Sequence, residues 1–320
     1  MERKVYNILM IDDDAIDRAA IIQLLKKSKS YAFYILEATN VTDGLAYYLD
    51  SPADCILLDY LLPGQNGLEF IHLIAQQTKN NLPAIIVLTA HGDENTAVSL
   101  LKAGALDYLK KDGLSSARLI KTIVTSIARK KENEKIINKK NRLAYEASHD
   151  ELTQLFNRRG LEDTLNQLIV MSKRHHQLSA ILFCDLDKFK QVNDTMGHHV
   201  GDLLLKKVAA RLKKTVRKKD SLARLGGDEF VILLKNISNK DHLAKIATQL
   251  CKVISAPFHI HHVEINITIS IGMTCIPSNT DDFTSLIKQA DSAMYCAKAL
   301  QPGGYKLYNE SSTLPANKQI

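Results

Sequence analysis

Polar residues with chemical potential stand where apolar segments end in the first third of the chain. Asp12 and Asp13 follow the segment ILMI, and Asp59 ends the segment CILLD. Farther along, Thr89 closes IIVLT and Lys111 follows DYLK. Clustered carboxylates repel one another unless a cation joins them, and oxygen ligands suit Mg²⁺. Because a carboxylate can attack a phosphoryl group whose charge a metal ion and a lysine neutralise, these residues predict a phosphoryl-accepting site.

A second group of acids lies in the C-terminal half. The strand-like segment LSAILFC is followed by the acidic segment DLD at 185–187. Farther along, the segment GGDE at 226–229 contains a Gly-Gly pair followed directly by Asp228. If these two strands are neighbours, Asp185 and Asp228 face each other and can hold two divalent ions about 3.5–4 Å apart, as nucleotidyl transfer requires. The glycines have no Cβ atoms, so the turn can approach a bound base and ribose closely. Taken alone, the triplet also fits an ordinary hairpin with exposed acids.

Hydrophobic patterning predicts the elements that position the first group. Five apolar strand-like runs separated by helical patterns in residues 1–117 predict an α/β domain with a doubly wound parallel sheet. The runs lie at 5–11, 31–37, 55–60, 84–90 and 105–109, and the helices at 15–28, 42–50, 67–78 and 94–103. Function gathers at the carboxyl ends of such strands, so we expect the five polar residues to meet at one edge of the sheet.

The rest of the chain predicts a helical stalk over 118–147 and an α+β domain over 148–309, followed by a tail over 310–320. The heptad seam of the stalk is largely polar, so we expect two stalks to pair only with help from the flanking domains. Two apolar strands joined at the Gly-Gly pair predict a β-hairpin in an antiparallel sheet. The other predicted elements are helices at 160–173, 201–217, 240–254 and 282–300 and strands at 178–184 and 263–274.

Composition favours a protein of two globular domains in the cytoplasm. The chain has 320 residues, of which 45% are hydrophobic and 24% charged, and no apolar run is long enough for a membrane span. Five cysteines without a CxxC pair indicate reduced thiols. The net charge of +7 is local, because residues 206–219 carry eight basic side chains and no acid. We interpret them as a solvated helix face, and we expect neither a nucleic-acid nor a membrane partner.

The segments ILMIDDD, CILLDYLLPGQNG, IIVLTA and AGALDYLKK make residues 4–120 resemble a two-component receiver domain. The resemblance implies that Asp59 accepts a phosphoryl group from a cognate histidine kinase or phosphotransfer protein. It also implies that Asp12 and Asp13 form an acidic pocket for Mg²⁺ or Mn²⁺. By the same resemblance, the switch hydroxyl is Thr89, the aromatic switch residue is Tyr108 and the phosphate-contacting lysine is Lys111. Asp112 stands where many receivers have proline, and Lys110 is a rival for the role of the lysine.

The segments HDELTQLFNRRG, FCDLDKFKQVNDTMGHHVGD and RLGGDEF make residues 146–309 resemble the GGDEF family of diguanylate cyclases. The resemblance implies that two GTP molecules, one on each chain of a homodimer, condense to cyclic di-GMP with release of pyrophosphate. It implies that Glu229 lies at the ribose 3′-hydroxyl, and that either Glu229 or Asp228 is the base. The remaining implied roles are metal binding by Asp185, Asp228 and the Leu186 carbonyl, guanine binding by Asn193 and Asp202, phosphate binding near Phe189, Lys190 and Lys298, and a nucleotide-binding turn at Gly226 and Gly227.

Two further features concern regulation and activity. Arg217 and Asp220 stand before Gly226 as in the RxxD product-inhibition site of the family, although a basic helix would also place an arginine there. Lys298 is followed by ALQPGGYK rather than by two residues and Gly-Arg-Asn, so an expected arginine is missing. Lys306 can replace it only if the loop folds back.

The two resemblances together imply a phosphorylation-regulated diguanylate cyclase that receiver-driven dimerisation activates. The main alternative is a catalytically inactive module that senses GTP or cyclic di-GMP and signals through a protein partner. A DNA-binding response regulator is disfavoured, because no helix-turn-helix pattern follows the stalk.

Overall fold

A computed structural model describes residues 3–78, 81–90, 94–261, 263–278 and 282–309. The predicted tail at 310–320 lies outside the described residues. The chain divides into two compact units, residues 1–139 and 140–320, and each is described by itself. Among the described helices, none combines the length and hydropathy needed to cross a bilayer.

The first unit is built on a parallel sheet covered by helices. Its strands are β1 (Lys4–Ile11), β2 (Tyr31–Ala38), β3 (Cys55–Asp59), the short pair β4 (Leu61–Leu62) and β5 (Gln65–Asn66), β6 (Ala84–Thr89) and β7 (Asp107–Lys110). Its helices are α1 (Ala15–Lys26), α2 (Val41–Asp50), α3 (Gly67–Gln77), α4 (Glu94–Ala103) and α5 (Ser116–Ser148). The five main strands run parallel in the order β2-β1-β3-β6-β7, which confirms the predicted doubly wound sheet.

Helix α5 begins as part of the first unit and not as a free stalk. Leu119, Ile123 and Ile127 recur at every fourth position and are buried in the same hydrophobic cluster as α1 and one face of the sheet. Farther along, Ile136 and Ile137 are each 56% exposed. Ile123 and Ile127, which belong to the heptad seam of the predicted stalk, are therefore occupied within this unit, and the later part of the helix is the part with exposed apolar side chains for pairing with a second stalk.

The second unit contains a mostly antiparallel sheet with helices on both faces. Its helices are α6 (Arg158–His175), α7 (Phe189–Met196), α8 (His198–Thr215), α9 (Lys240–Ser255) and α10 (Phe283–Leu300). Its strands are β8 (Ser179–Asp187), β9 (Ser221–Gly226), β10 (Glu229–Leu234), β11 (Phe258–Ile260), β12 (Val263–Ile265), β13 (Thr268–Ile276) and β14 (Tyr305–Leu307). The sheet order is β14-β13-β8-β10-β9, and only β13 and β14 are parallel.

The predicted hairpin of the second unit is β9–β10, and the predicted strand at 263–274 is divided into β12 and β13. Helix α7 and strand β14 were missed. Helix α7 has only eight residues and follows a strand directly, so its apolar period is too short to detect. Strand β14 has three residues and gains its structure from pairing with β13.

Substitution of Gly272 will test how closely α10 packs on the sheet. A Cβ atom at this position of β13 would lie 2.0 Å from the Ala290 carbonyl oxygen and 2.1 Å from the Met294 nitrogen. Because backbone atoms cannot rotate away, Gly272→Ala should destabilise the second unit by about 3 kcal/mol. Calorimetry should show its unfolding transition about 10 °C lower. A transition within about 2 °C of that of the wild type would contradict this packing.

Candidate functional sites

The first site lies at the carboxyl edge of the parallel sheet. Asp12 follows β1, Asp59 ends β3, and both are buried. Lys111 follows β7 and places Nζ 2.9 Å from Asp12 Oδ2 and 3.0 Å from Asp59 Oδ1. The structure thus brings together the acids and the lysine that the sequence predicted at this edge. Lys110 is exposed, so Lys111 is the lysine that reaches the acids.

The acids of the first site can hold a divalent cation. One oxygen from each of Asp12, Asp13 and Asp59 lies within 4.8 Å of the others, and within the described residues this is the one group of three such ligands. An oxygen-only donor set with this charge suits Mg²⁺ or Mn²⁺. The donor chemistry therefore fits the predicted metal ion.

Burial and charge oppose each other at the first site. Burial raises the pKa of Asp59, and the Lys111 ammonium acts in the opposite direction. Burial would lower the pKa of Lys111, but Asp12, Asp17 and Asp59 together raise it above its ordinary value. The lysine consequently remains charged at neutral pH and compensates the buried acids.

Asp17 is a residue of this site that sequence reasoning missed. It lies in the first turn of α1, and its Oδ2 accepts a hydrogen bond of 2.7 Å from Lys111 Nζ. The available signal was the position of an acid in the helix turn that directly follows Asp12 and Asp13. Its pairing with a lysine 94 residues away needed the fold.

The two predicted switch residues flank the same edge. Thr89 ends β6, its side chain is buried, and its carbonyl accepts a hydrogen bond of 2.9 Å from the Lys111 backbone. Tyr108 is half-buried and packs against the hydrophobic cluster on the α3 and α4 side of the sheet. Asp112 is exposed beyond the lysine. These positions are compatible with the switch roles, which stay predictions.

The second site lies at one end of β8. Strands β8 and β10 are neighbours, as the prediction required. The register places Glu229 directly across from Asp185, while Asp228 belongs to the turn before β10. The Asp228 carbonyl accepts a hydrogen bond of 3.4 Å from the Leu186 amide. The acid opposite Asp185 is thus Glu229 and not Asp228, because the two glycines and Asp228 are used to make the turn.

Lysine and hydroxyl groups balance the buried acids of β8. The Lys298 ammonium on α10 forms an ion pair with Asp185 Oδ1. Burial raises the pKa of Asp185; Lys298 opposes this rise, and Asp228 adds to it. Asp187 is buried and accepts hydrogen bonds of 2.6 Å from Thr268 and 2.8 Å from Ser270. Asp187 is therefore engaged with the sheet, and Asp185 is the acid available to a ligand.

Glu229 lies in a negatively charged environment. Burial raises its pKa, and the charges of Asp291, Asp185 and Asp228 raise it further, while Arg158 opposes them. Asp291 on α10 was missed by sequence reasoning. It precedes Lys298 by seven residues, so a helical projection places both on one face of the helix.

The predicted guanine and phosphate positions lie around α7. Within the described part of the chain, Asn193 Oδ1 is buried and has no hydrogen-bond partner. A Cβ atom on Gly201 would lie 1.8 Å from this oxygen, so the glycine makes room for it. Asp202 is exposed. Phe189 and Lys190 begin α7 without a side-chain cap, which leaves backbone amides able to bind an anion.

The glycine turn is held by an arginine that sequence reasoning did not assign. Gly226 and Gly227 have φ of +154° and +49°, and no described atom lies within 4 Å of a Cβ built on either. The Gly227 carbonyl accepts hydrogen bonds of 3.0 and 2.9 Å from Arg224. The same guanidinium binds both carboxylate oxygens of Asp150 at 3.0 Å. Arg224 therefore connects the turn to the segment that follows α5.

The predicted inhibitory residues lie outside the basic helix, because α8 ends at Thr215. The Asp220 carboxylate accepts hydrogen bonds of 3.1 Å from the amides of Arg217 and Lys235. Arg217 Nη2 is 3.3 Å from His242 Nε2. The helical alternative for Arg217 is therefore wrong, and its side chain is positioned by a turn.

The atypical loop after Lys298 contacts β13 through the Gly303 amide, which donates a hydrogen bond of 3.3 Å to the Ser270 hydroxyl. It leads into β14, where Lys306 pairs with Gly272 of β13. Lys306 lines a groove together with Thr248 and Cys251 of α9. Main-chain pairing of β14 fixes Lys306 along β13, so its replacement of the missing arginine, which required the loop to fold back, has no supporting contact among the described residues.

Comparisons with known proteins identify two domain families in the chain. The family model of the response regulator receiver domain matches residues 8–124, and that of the diguanylate cyclase GGDEF domain matches residues 147–302. The chain combines a receiver domain with a GGDEF domain. The predicted order of these two domains is thereby confirmed.

Curated relatives match parts of this chain within longer chains. The bifunctional diguanylate cyclase/cyclic di-GMP phosphodiesterase MucR of Pseudomonas aeruginosa is 44% identical over 174 residues, which are 54% of this chain and 25% of MucR. The response regulator PleD of Caulobacter vibrioides is 30% identical over 251 residues, which are 78% of this chain and 55% of PleD. The chain thus spans about half of PleD and a quarter of MucR.

A solved structure supports the fold of the GGDEF domain. The GGDEF domain of TpbB from Pseudomonas aeruginosa superposes with a TM-score of 0.50 and 34% identity, covering 51% of this chain and 96% of that one. The coiled coil and GGDEF domain of DgcB from Caulobacter crescentus superposes with a TM-score of 0.52 at 23% identity and shows the same fold.

Proposed function

We propose that this protein is a diguanylate cyclase whose receiver domain controls it through phosphorylation of Asp59. The observation that carries the proposal is the end of β8, where Asp185, Glu229 and Lys298 meet beside the glycine turn. The buried Asn193 oxygen, unpartnered within the described chain, supports guanine as the base, since guanine offers N–H donors.

In the proposed reaction, the GGDEF domains of two protomers each hold one GTP. A divalent ion at Asp185, Asp228 and the Leu186 carbonyl would neutralise phosphate charge and lower the pKa of the attacking hydroxyl. Glu229 or Asp228 accepts the 3′-hydroxyl proton. The 3′-oxygen bonds to the α-phosphorus of the other GTP, and the bond from that phosphorus to the leaving pyrophosphate breaks. A second such step closes the ring.

Lys298 and the turn have separate tasks in this proposal. The Lys298 ammonium, which pairs with Asp185, would bind the triphosphate if a metal ion held by the acids compensated the charge of Asp185. The open space beside Gly226 and Gly227 admits the nucleotide. The first amides of α7, at Phe189 and Lys190, bind phosphate oxygens.

Regulation begins at Asp59. A carboxylate oxygen of Asp59 bonds to the phosphorus of a phosphohistidine or acyl phosphate, and the donor's bond to phosphorus breaks. Lys111 balances part of the new charge, and Asp12, Asp13 and Asp59 would hold a divalent ion that supplies the rest. Movement of Thr89 and Tyr108 then favours a receiver dimer, which brings two GGDEF half-sites together.

A second candidate function is a GTP or cyclic di-GMP sensor that acts through a protein partner. The position of Lys306 favours the sensor, because no arginine or lysine of the loop after Lys298 takes the place of the missing arginine that would bind phosphate. The acids of β8 and β10 favour the enzyme, since a sensor has no need of a base at the ribose. The cytoplasmic location also stays a prediction.

The deciding experiment is incubation of the purified protein with GTP and Mg²⁺, with and without beryllofluoride, followed by chromatography of the nucleotides. Cyclic di-GMP that increases with beryllofluoride would support both sites and their coupling. If GTP is unchanged in both reactions while nucleotide still binds to the protein, the result would support the sensor function and contradict the enzyme function. Repetition with Mn²⁺ would identify the preferred ion.

Arg224→Lys should raise the KM for GTP about tenfold while kcat changes less than threefold. The single ammonium group of a lysine cannot reproduce the four hydrogen bonds that three nitrogens of the planar guanidinium make to Asp150 and Gly227, so the turn loses part of its support. A tenfold change corresponds to about 1.4 kcal/mol, within the range of a charged hydrogen bond. Arg142→Lys is the matched control, because Arg142 is exposed and pairs only with Glu146 among the described residues. Equal KM values for both variants would refute this role.

Product inhibition through Arg217 and Asp220 remains a proposal. The turn location of Arg217 and its proximity to His242 support an accessible guanidinium. The Asp220 carboxylate is engaged with two backbone amides, which would orient it at the rim of such a site.

A further inference from the structure

The ammonium group of Lys111 is shared by three acids. Its Nζ lies 2.9 Å from Asp12, 2.7 Å from Asp17 and 3.0 Å from Asp59. Of these contacts, the one to Asp17 Oδ2 has hydrogen-bond geometry, whereas Asp12 Oδ2 is ion-paired with Nζ and has no hydrogen-bond partner among the described residues. Phosphorylation converts the Asp59 carboxylate into an acyl phosphate, so Lys111 is then shared among the phosphoryl group and the carboxylates of Asp12 and Asp17, and the hydrogen bond to Asp17 competes with one to the phosphoryl group.

Burial indicates which acid gives way. The side chain of Asp12 is fully buried and that of Asp59 is 10% exposed, whereas that of Asp17 is 40% exposed. A carboxylate that leaves its partner must be hydrated, which is unfavourable in the interior and easy at the surface. Asp17 is thus the acid that can release Lys111 at the smallest free-energy cost.

The residue beside Asp17 does not neutralise it. Arg18 donates from Nη1 to the Asp12 carbonyl at 2.9 Å and from Nε to Glu37 at 2.8 Å. Lys111 is the cation whose ion pair with Asp17 the structure shows. The charge of Asp17 consequently acts on the same ammonium group that a phosphoryl group needs.

We propose that Asp17 is a positioning residue that competes with the phosphoryl group on Asp59 for Lys111. It holds the lysine in the unphosphorylated receiver and weakens the phosphorylated state, so its charge sets how readily the receiver is activated. The inference rests on the proposed role of Asp59. It concerns an acid that lies outside the predicted metal pocket and whose function neither the motif nor the spacing indicated.

Beryllofluoride, which mimics a phosphoryl group on an aspartate, provides the test. In ¹⁹F NMR titrations of the full chain at saturating Mg²⁺, Asp17→Asn should reach half-saturation at a beryllofluoride concentration about three to ten times lower than that of the wild type. A change of this size in affinity is of the order expected when a partly exposed ion pair is lost, since a tenfold change in affinity corresponds to about 1.4 kcal/mol. Asp17→Glu keeps the charge and should remain within twofold of the wild type.

Asp112→Asn is the matched control. Asp112 follows Lys111 directly and is exposed, so its substitution removes the same charge near the site without removing a contact to Nζ. This control should titrate within twofold of the wild type. Equal affinity of Asp17→Asn and the wild type, weaker binding by Asp17→Asn, or an equal gain in both asparagine variants would each overturn the role of Asp17. If neither the wild type nor Asp17→Asn binds beryllofluoride, the phosphoacceptor proposal fails and this inference fails with it.

Discussion

Asp185→Asn will lower the rate of cyclic di-GMP formation by about 10³-fold or more. Asp185 is the acid of β8 that is free of the sheet hydroxyl groups, and it lies across from Glu229 and beside Lys298. Asparagine keeps the shape of the side chain but removes the charge that a divalent ion needs. In other active sites, loss of one electrostatic contact to the reacting group lowers the reaction rate by a factor of this order.

The measurement is the initial rate of product formation from GTP at saturating Mg²⁺, with the variant's unfolding temperature as a check on folding. Burial raises the pKa of Asp185, so its ionised form is unfavourable to folding, and a neutral replacement should leave the GGDEF domain folded. Asp163→Asn removes an exposed acid from α6 and serves as the control. Activity of Asp185→Asn above a tenth of the wild-type rate would exclude Asp185 from the metal site.

Asp59→Asn will abolish phosphorylation by acetyl phosphate and the response of the cyclase to beryllofluoride. Asparagine lacks the nucleophilic oxygen, and it also removes one of the predicted metal ligands. We expect the wild type to be activated at least about tenfold, within the usual range of coupling between two sites. The variant should keep the basal rate of cyclic di-GMP formation, because its GGDEF domain is unchanged.

Stability provides a second check of the Asp59 assignment. Burial raises the pKa of Asp59, so at neutral pH its charged form reduces the folding free energy, an effect that disappears as the pH falls below this pKa. Asp59→Asn should therefore unfold at the same or a higher temperature than the wild type at pH 7. Asp50→Asn, at the exposed end of α2, should be phosphorylated like the wild type. Phosphate incorporation into Asp59→Asn would show that another residue is the acceptor.

The sequence predicted most of both domains because their signals are local. Apolar runs between helical patterns marked the five parallel strands, and parallel strands end at the same edge. The pattern alone therefore places Asp12, Asp59 and Lys111 at one edge, where the ion pairs of Lys111 join them. The Gly-Gly pair likewise marked its own turn, since both glycines adopt positive φ.

Register was less accessible to sequence reasoning. Asp228 was expected to face Asp185, but the ladder pairs Asp185 with Glu229. The difference is one residue, and it depends on how many residues the turn consumes and on the irregularity between Glu229 and Phe230. Hydrophobic alternation cannot supply this detail, because the strands of this sheet are buried on both faces.

By itself, the sequence determined the two domains, their order and the acids at the ends of their strands. These features could be predicted because the spacing of apolar residues and the residue types of turns are signals within a few neighbouring residues. Only the tertiary structure decided which distant groups join them. Asp17 reaches Lys111 across 94 residues, and Asp150 reaches Arg224 across 74. The position of Lys306 likewise depends on the pairing of β14 with β13. Such contacts depend on helix orientation, strand register and side-chain direction, which the packing of the whole domain sets.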